Sequence, residues 1–139
     1  MYQSIEIVGY LGRDPEMRYS PTGTPVTHFS VASNRRWSTD EGEASEETTW
    51  FRVTAWRALA ENCNAYLTKG RQVFVEGRLQ PDAETGGPRI WVGDDGIPRA
   101  QFEVTANRVI FLGKGDGERP GDVLPNAPST PQEDDLVPF

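Results

Sequence analysis

A chain of 139 residues with a single cysteine, Cys63, and a single histidine, His28, has little of what most active-site chemistry is built from. One cysteine closes no intrachain disulfide and builds no cysteine metal cluster, which suits a reducing compartment such as the cytoplasm. One histidine excludes paired-histidine metal sites and leaves one candidate base for a serine or cysteine nucleophile. Both residues are therefore read as structural. No apolar run approaches the ~18 residues of a membrane span, and the first six residues lack the basic-then-apolar pattern of a secretory leader. No metal or cofactor is expected. An enzyme would have to use carboxylates or a bound metal, yet no paired acids sit in an apolar pattern and no ligand spacing is present.

Positive charge is also scarce: 14 bases face 21 acids, a net charge of −7. Taken whole, that speaks against a nucleic-acid partner, because phosphate binding is carried by Lys and Arg. The charge is unevenly spread. Nine of the 27 residues from 113 to 139 are Gly or Pro, and no aromatic separates Phe111 from Phe139. Such a stretch cannot bury enough apolar surface to offset its ordering entropy, so residues 113–132 are expected to form a disordered linker. Residues 113–139 carry −4 of the charge and residues 1–112 only −3.

The body, residues 1–112, reads mainly as strands. The first covers residues 5–11, and Pro15, Ser20-Pro21-Thr22-Gly23 and Pro25 then supply turn chemistry. Residues 26–37 form a β-branched and aromatic second run, residues 38–47 a polar, acidic hairpin loop, and residues 48–56 a third strand. Residues 72–79 and 102–112 give the fourth and fifth, with a long loop over 81–99 and a short hairpin near 89–92. Residues 57–69 break the pattern: Leu59, Cys63 and Tyr66/Leu67 recur at helical spacing, Lys69 suits the C-terminal dipole and Gly70 the C′ position. An all-β chain of five strands with one helix between the third and fourth has the element order of the OB-fold barrel.

Alternation along the third strand sends Phe51, Val53 and Ala55 to a core and Trp50, Arg52, Thr54 and Trp56 outward. Exposed tryptophans beside an arginine suit base stacking, worth about 1–3 kcal/mol per base, with the guanidinium meeting phosphate or ring. Arg35, Arg36 and Trp37 end the neighbouring strand, Arg57 follows Trp56, and Arg78 lies on the fourth. The alternative is a subunit interface, where aromatics and Arg are also enriched. Trp91, in the hairpin, is a weaker candidate.

The chain closes with Gln132-Glu133-Asp134-Asp135-Leu136-Val137-Pro138-Phe139. Acids ahead of an apolar tip suit a pocket that buries the phenyl ring while basic side chains hold the carboxylates. A plain solvated acidic terminus is the competing reading.

These signals resemble the bacterial single-stranded DNA-binding protein (SSB) family. The matching stretches run from Val8-Gly9-Tyr10-Leu11-Gly12-Arg13-Asp14-Pro15 through Glu16-Met17-Arg18-Tyr19. They continue with Thr49-Trp50-Phe51-Arg52-Val53 and with residues 66–79, Tyr66-Leu67-Thr68-Lys69-Gly70 to Gly77-Arg78-Leu79. The resemblance implies a non-enzymatic homo-oligomer, normally a tetramer, that wraps single-stranded DNA with little sequence preference. It implies stacking at Trp37, Trp50 and Trp56. Arg35, Arg36, Arg52, Arg57 and Arg78 lie in or beside matching segments, and Arg18 and Trp91 are further candidate contacts. It also implies that residues 133–139, with Asp134, Asp135, Leu136, Val137, Pro138 and Phe139, form a tip docking replication, recombination and repair proteins. The commoner tip carries a third Asp and an Ile. A basic-aromatic run usual after the fourth strand is replaced here by Gln80-Pro81-Asp82-Ala83-Glu84, leaving Trp91 as its candidate substitute. An OB-fold interaction accessory with weak DNA binding is the alternative.

Overall fold

Alternating apolar residues become strands because each can bury one face only by pairing with neighbours that do the same. A computed structural model describes residues 1–113 of the chain. In chain order the elements are β1 (Ile5–Leu11), β2 (Glu16–Tyr19), β3 (Pro25–Ser38), β4 (Ala44–Trp56), α1 (Ala58–Tyr66), β5 (Gln72–Leu79), β6 (Ile90–Val92), β7 (Pro98–Ala100) and β8 (Phe102–Leu112). One sheet runs β1-β5-β8-β4-β3-β2, and β1 also pairs β3 through Tyr10↔Ala32 and Leu11↔Val31. That second pairing closes five strands (β1, β3, β4, β5 and β8) into the OB-fold barrel, with β2 as a flap on the outside edge of β3. Every pairing is antiparallel except the short β4–β8 register from Phe51↔Phe102 to Thr54↔Thr105. Closure needs Gly9 on β1, where a Cβ would lie 2.3 Å from the Ala32 carbonyl oxygen.

The barrel is filled by β-branched and aromatic side chains: Ile7, Phe29, Val31, Val53, Val73, Val75, Val104, Val109 and Phe111 are all buried. Each contributes about 1.5–3 kcal/mol by leaving water. Helix α1 packs Ala60 and Cys63 into the same cluster, and the buried Thr27 hydroxyl donates to the Ala60 carbonyl at 2.7 Å. Burial pushes the Cys63 thiol up to about 12, in keeping with its structural reading.

Four expectations are corrected. Residues 16–19, given no strand in the sequence reading, pair with β3 as strand β2; only Met17 is half-buried, so the segment has little apolar alternation to betray it. The hairpin loop spans residues 39–43, because both strands run on beyond the barrel as a polar ribbon held by cross-strand side chains. Helix α1 stops at Tyr66, where Leu67 takes an extended backbone and turns into the core; Gly70 is no helix cap and donates to the Leu11 carbonyl. Tyr66 itself points outward, its ring 6.1 Å from that of Phe111. The expected linker and tip over residues 114–139 lie outside the described residues.

Candidate nucleic-acid interface

The pleat of β4 does what its sequence foretells. Val53 and Ala55 are fully buried and Phe51 packs against the core, so the opposite face turns outward with Trp50 at 50% and Trp56 at 42% exposure. Small neighbours make room for Trp50: its register partner on β3 is Ala32, and its ring lies over Gly12. A Cβ on Gly12 would meet Cζ3 and Cη2 of that ring at 2.6 and 2.8 Å. The Gly12 N–H donates to the Ser30 carbonyl at 3.1 Å, which fixes the glycine beside β3. Thr54, expected to lie exposed between the tryptophans, is buried; its hydroxyl oxygen is 3.0 Å from His28 Nδ1 across the β3–β4 pair.

His28, read from the sequence as a structural residue, therefore stands on the outer sheet face beside Arg52. Its pKa is lowered, first by burial and then by the Arg52 and Arg18 guanidiniums, which outweigh the opposing Glu103 and Glu16. At this ring the nearby arginines thus outweigh the nearby acids although the chain is acidic.

Past the barrel the ribbon carries Arg35, Arg36 and Trp37. Register and alternation put Arg36 on the side of Trp50, and Arg35 with Trp37 on the other. The Arg35 guanidinium covers the Trp37 ring at 4.7 Å. Each arginine is also tied to an acid on β4, Arg35 to Glu47 at 3.0 Å and Arg36 to Glu46 at 2.6 Å. Both pairs are well exposed, where such contacts contribute about 0.2–1 kcal/mol, so an incoming phosphate can exchange for either carboxylate.

The remaining candidates lie around this face. Arg78 on β5 is in register with Thr105, itself in register with Thr54, so it shares a row of the outer sheet. Exposed Arg57 follows Trp56 with φ of 61°, the one positive-φ residue other than glycine among the described residues, and its N–H donates to the Pro25 carbonyl at 2.9 Å. That strained turn ends β4 and starts α1. Arg18 on β2 lies 3.6 Å from Glu16. Trp91 sits apart, in the two-stranded β6–β7 sheet, with Arg89 5.4 Å over its ring. Arg89 in turn bonds Glu103 at 3.1 Å, and Glu103 is the register partner of Arg52. Among the described residues no cluster of His, Cys, Asp and Glu is arranged to hold a metal ion, and no helix is long and apolar enough to cross a membrane.

The sequence profile described as the single-strand binding protein family matches residues 2–112. A protein of Neisseria meningitidis named single-stranded DNA-binding protein is 42% identical over 117 residues, covering 84% of this chain and 63% of that protein. This chain thus spans less than two thirds of that relative's length. Single-stranded DNA-binding protein 1 of Chlorobaculum tepidum is 43% identical over 131 residues, covering 90% of this chain and 75% of the relative. Among solved structures, a Plasmodium falciparum SSB in complex with ssDNA superposes with a TM-score of 0.66 at 26% identity, covering 81% of this chain and 97% of that one.

Proposed function

Since the chain belongs to the single-strand binding protein family, we propose that it binds single-stranded DNA with little sequence preference and without catalysing a reaction. Bases stack on Trp50 and Trp56, and on Trp37 where the strand rounds the ribbon. Arg35, Arg36, Arg52, Arg57 and Arg78 meet phosphates, with Arg18 and Trp91 as outlying contacts. A tetramer of OB barrels wraps the strand in the cytoplasm, and the tip from Asp134 to Phe139 recruits replication, recombination and repair proteins. One observation carries the reading: two half-exposed indoles flank Arg52 on one sheet face. Every base has a π-face, so indole stacking is sequence-tolerant. Exposed Ile90, Val92 and Ile97 on the β6–β7 hairpin favour a protein contact as a second reading of that hairpin, in keeping with an accessory role.

Titration of oligo(dT) against tryptophan fluorescence tests the proposal. Quenching at low salt, with affinity falling as salt rises, is expected. Trp50→Ala and Trp56→Ala should each raise Kd roughly 5- to 160-fold, the equivalent of ~1–3 kcal/mol. Unchanged affinity in both variants would assign the rings to a protein interface instead.

A further inference from the structure

Between the two tryptophans the outer face is not flat. A polar cleft of about 270 Å³ opens there, walled by Arg13, Arg18 and Glu16 on one side and floored by His28, Ser30 and Arg52 on β3 and β4. The registers Ser30↔Arg52 and His28↔Thr54 fix its position along β4, after Trp50 and before Trp56. We propose that this cleft seats one phosphodiester group of the bound strand, gripped by Arg13, Arg18 and Arg52 over the His28 ring. The proposal deepens the DNA-binding reading and rests on it.

Three observations support the seat. The ribbon arginines are both occupied by glutamates, whereas Arg13 and Arg52 form no ion pair among the described residues, so a phosphate binds them without displacing a partner. The two acids that also line the cleft have partners of their own: Asp14 accepts the backbone N–H of Lys69 at 2.8 Å, and Glu16 lies 3.6 Å from Arg18 in an exposed pair that a phosphate can loosen. His28 has Nδ1 committed to Thr54, leaving Nε2 as the ring nitrogen for a ligand. A guanidinium fork matches two phosphate oxygens in a way that an isolated ammonium does not.

A seated phosphate also reverses the field at His28. The groups facing this ring are Arg52 from β4, Arg18 and Glu16 from β2, and Glu103 from β8. In the free protein burial, and after it the arginines, lower the pKa of the imidazole; an added anion favours the imidazolium, so binding takes up a proton. Affinity should therefore rise as pH falls from 7.5 to 5.5, a window above the ordinary carboxylate range.

The test uses the full chain and oligo(dT), with Kd measured across a salt series. Arg13→Gln and Arg18→Gln replace exposed side chains and should leave folding intact. Each should reduce the slope of log K against log salt by up to about 0.7, the value for one phosphate contact on a single strand. Quenching at saturation should stay at the wild-type level, since the indoles are untouched. His28→Gln, which can still bond Thr54, should abolish the pH dependence. Wild-type slopes in both arginine variants, or an unchanged pH profile in His28→Gln, would overturn the seat while the DNA-binding reading stood. A wild-type chain that fails to bind oligo(dT) would overturn both.

Discussion

Replacing Gly12 by Ala separates the positioning of an indole from its presence. Gly12 has no positive φ, so alanine fits its backbone and the effect is purely steric. The new methyl would lie 2.6 Å from Cζ3 of Trp50, against the 3.4 Å at which ordinary contact begins, so the ring must retreat by about 0.8 Å. Half of that ring is exposed, and it swings more easily than the backbone beneath, which the Gly12–Ser30 hydrogen bond anchors. A radial gap of 0.5–1 Å forfeits about a quarter to a half of a dispersion contact. Applied to stacking of ~1–3 kcal/mol, that is about 0.25–1.5 kcal/mol, or a Kd roughly 2- to 13-fold higher. Stability should hold or rise slightly, because alanine restricts the unfolded chain by ~0.4–1 kcal/mol relative to glycine. Oligo(dT) titration and thermal unfolding of the same preparation read both. A variant with a lower Tm and unchanged Kd would refute the reasoning, since it would show that the barrel yields and the ring does not.

Two other substitutions probe the same surface. Glu46→Gln with Glu47→Gln frees Arg36 and Arg35, and should tighten oligo(dT) binding about 3- to 10-fold at low salt and steepen its salt dependence; weaker binding would show that the pairs preorganise the ribbon. Arg57→Gly removes the strain of a positive φ, typically ~1–3 kcal/mol, against a glycine entropy cost of ~0.5–1. Urea unfolding should therefore show about 1 kcal/mol more stability with somewhat weaker DNA binding; a less stable variant would mean that the Arg57 side chain supports the β4–α1 turn.

Strands that bury one face advertise it, and β1, β5 and β8 were legible to their end residues. Legibility failed where burial was not the cause of the structure. Strand β2 is a flap with one half-buried side chain, bracketed by proline and serine that read as turn. The ribbon ends of β3 and β4 bury no apolar face among the described residues, and their polar composition looked like loop although Arg35–Glu47, Arg36–Glu46 and Asn34–Thr48 contacts hold them as strand. Within the site, period-2 alternation found Trp50, Arg52 and Trp56. It could not see that Thr54 is covered by a cross-strand histidine, or that Trp50 rests on a glycine nearly forty residues earlier in the chain. Both depend on the register between strands, which no single strand encodes.

The barrel's closure seam has only two register pairs, Tyr10↔Ala32 and Leu11↔Val31, whereas the β3–β4 hairpin has thirteen. The hairpin joins neighbours across a five-residue loop, and its loop-closure entropy is correspondingly small. The seam joins residues about 20 apart in the chain, whereas the pairing of β1 with β5 spans more than sixty. With two register pairs against thirteen, the seam has far less to lose on opening than the hairpin and is the first element to open. Breathing of the barrel can thus begin at β1 while the β3–β4 pairing and Trp56 stay in place, and Trp50, seated over Gly12 at the end of β1, feels it first. The molecule keeps its grip on one side and its give on the other.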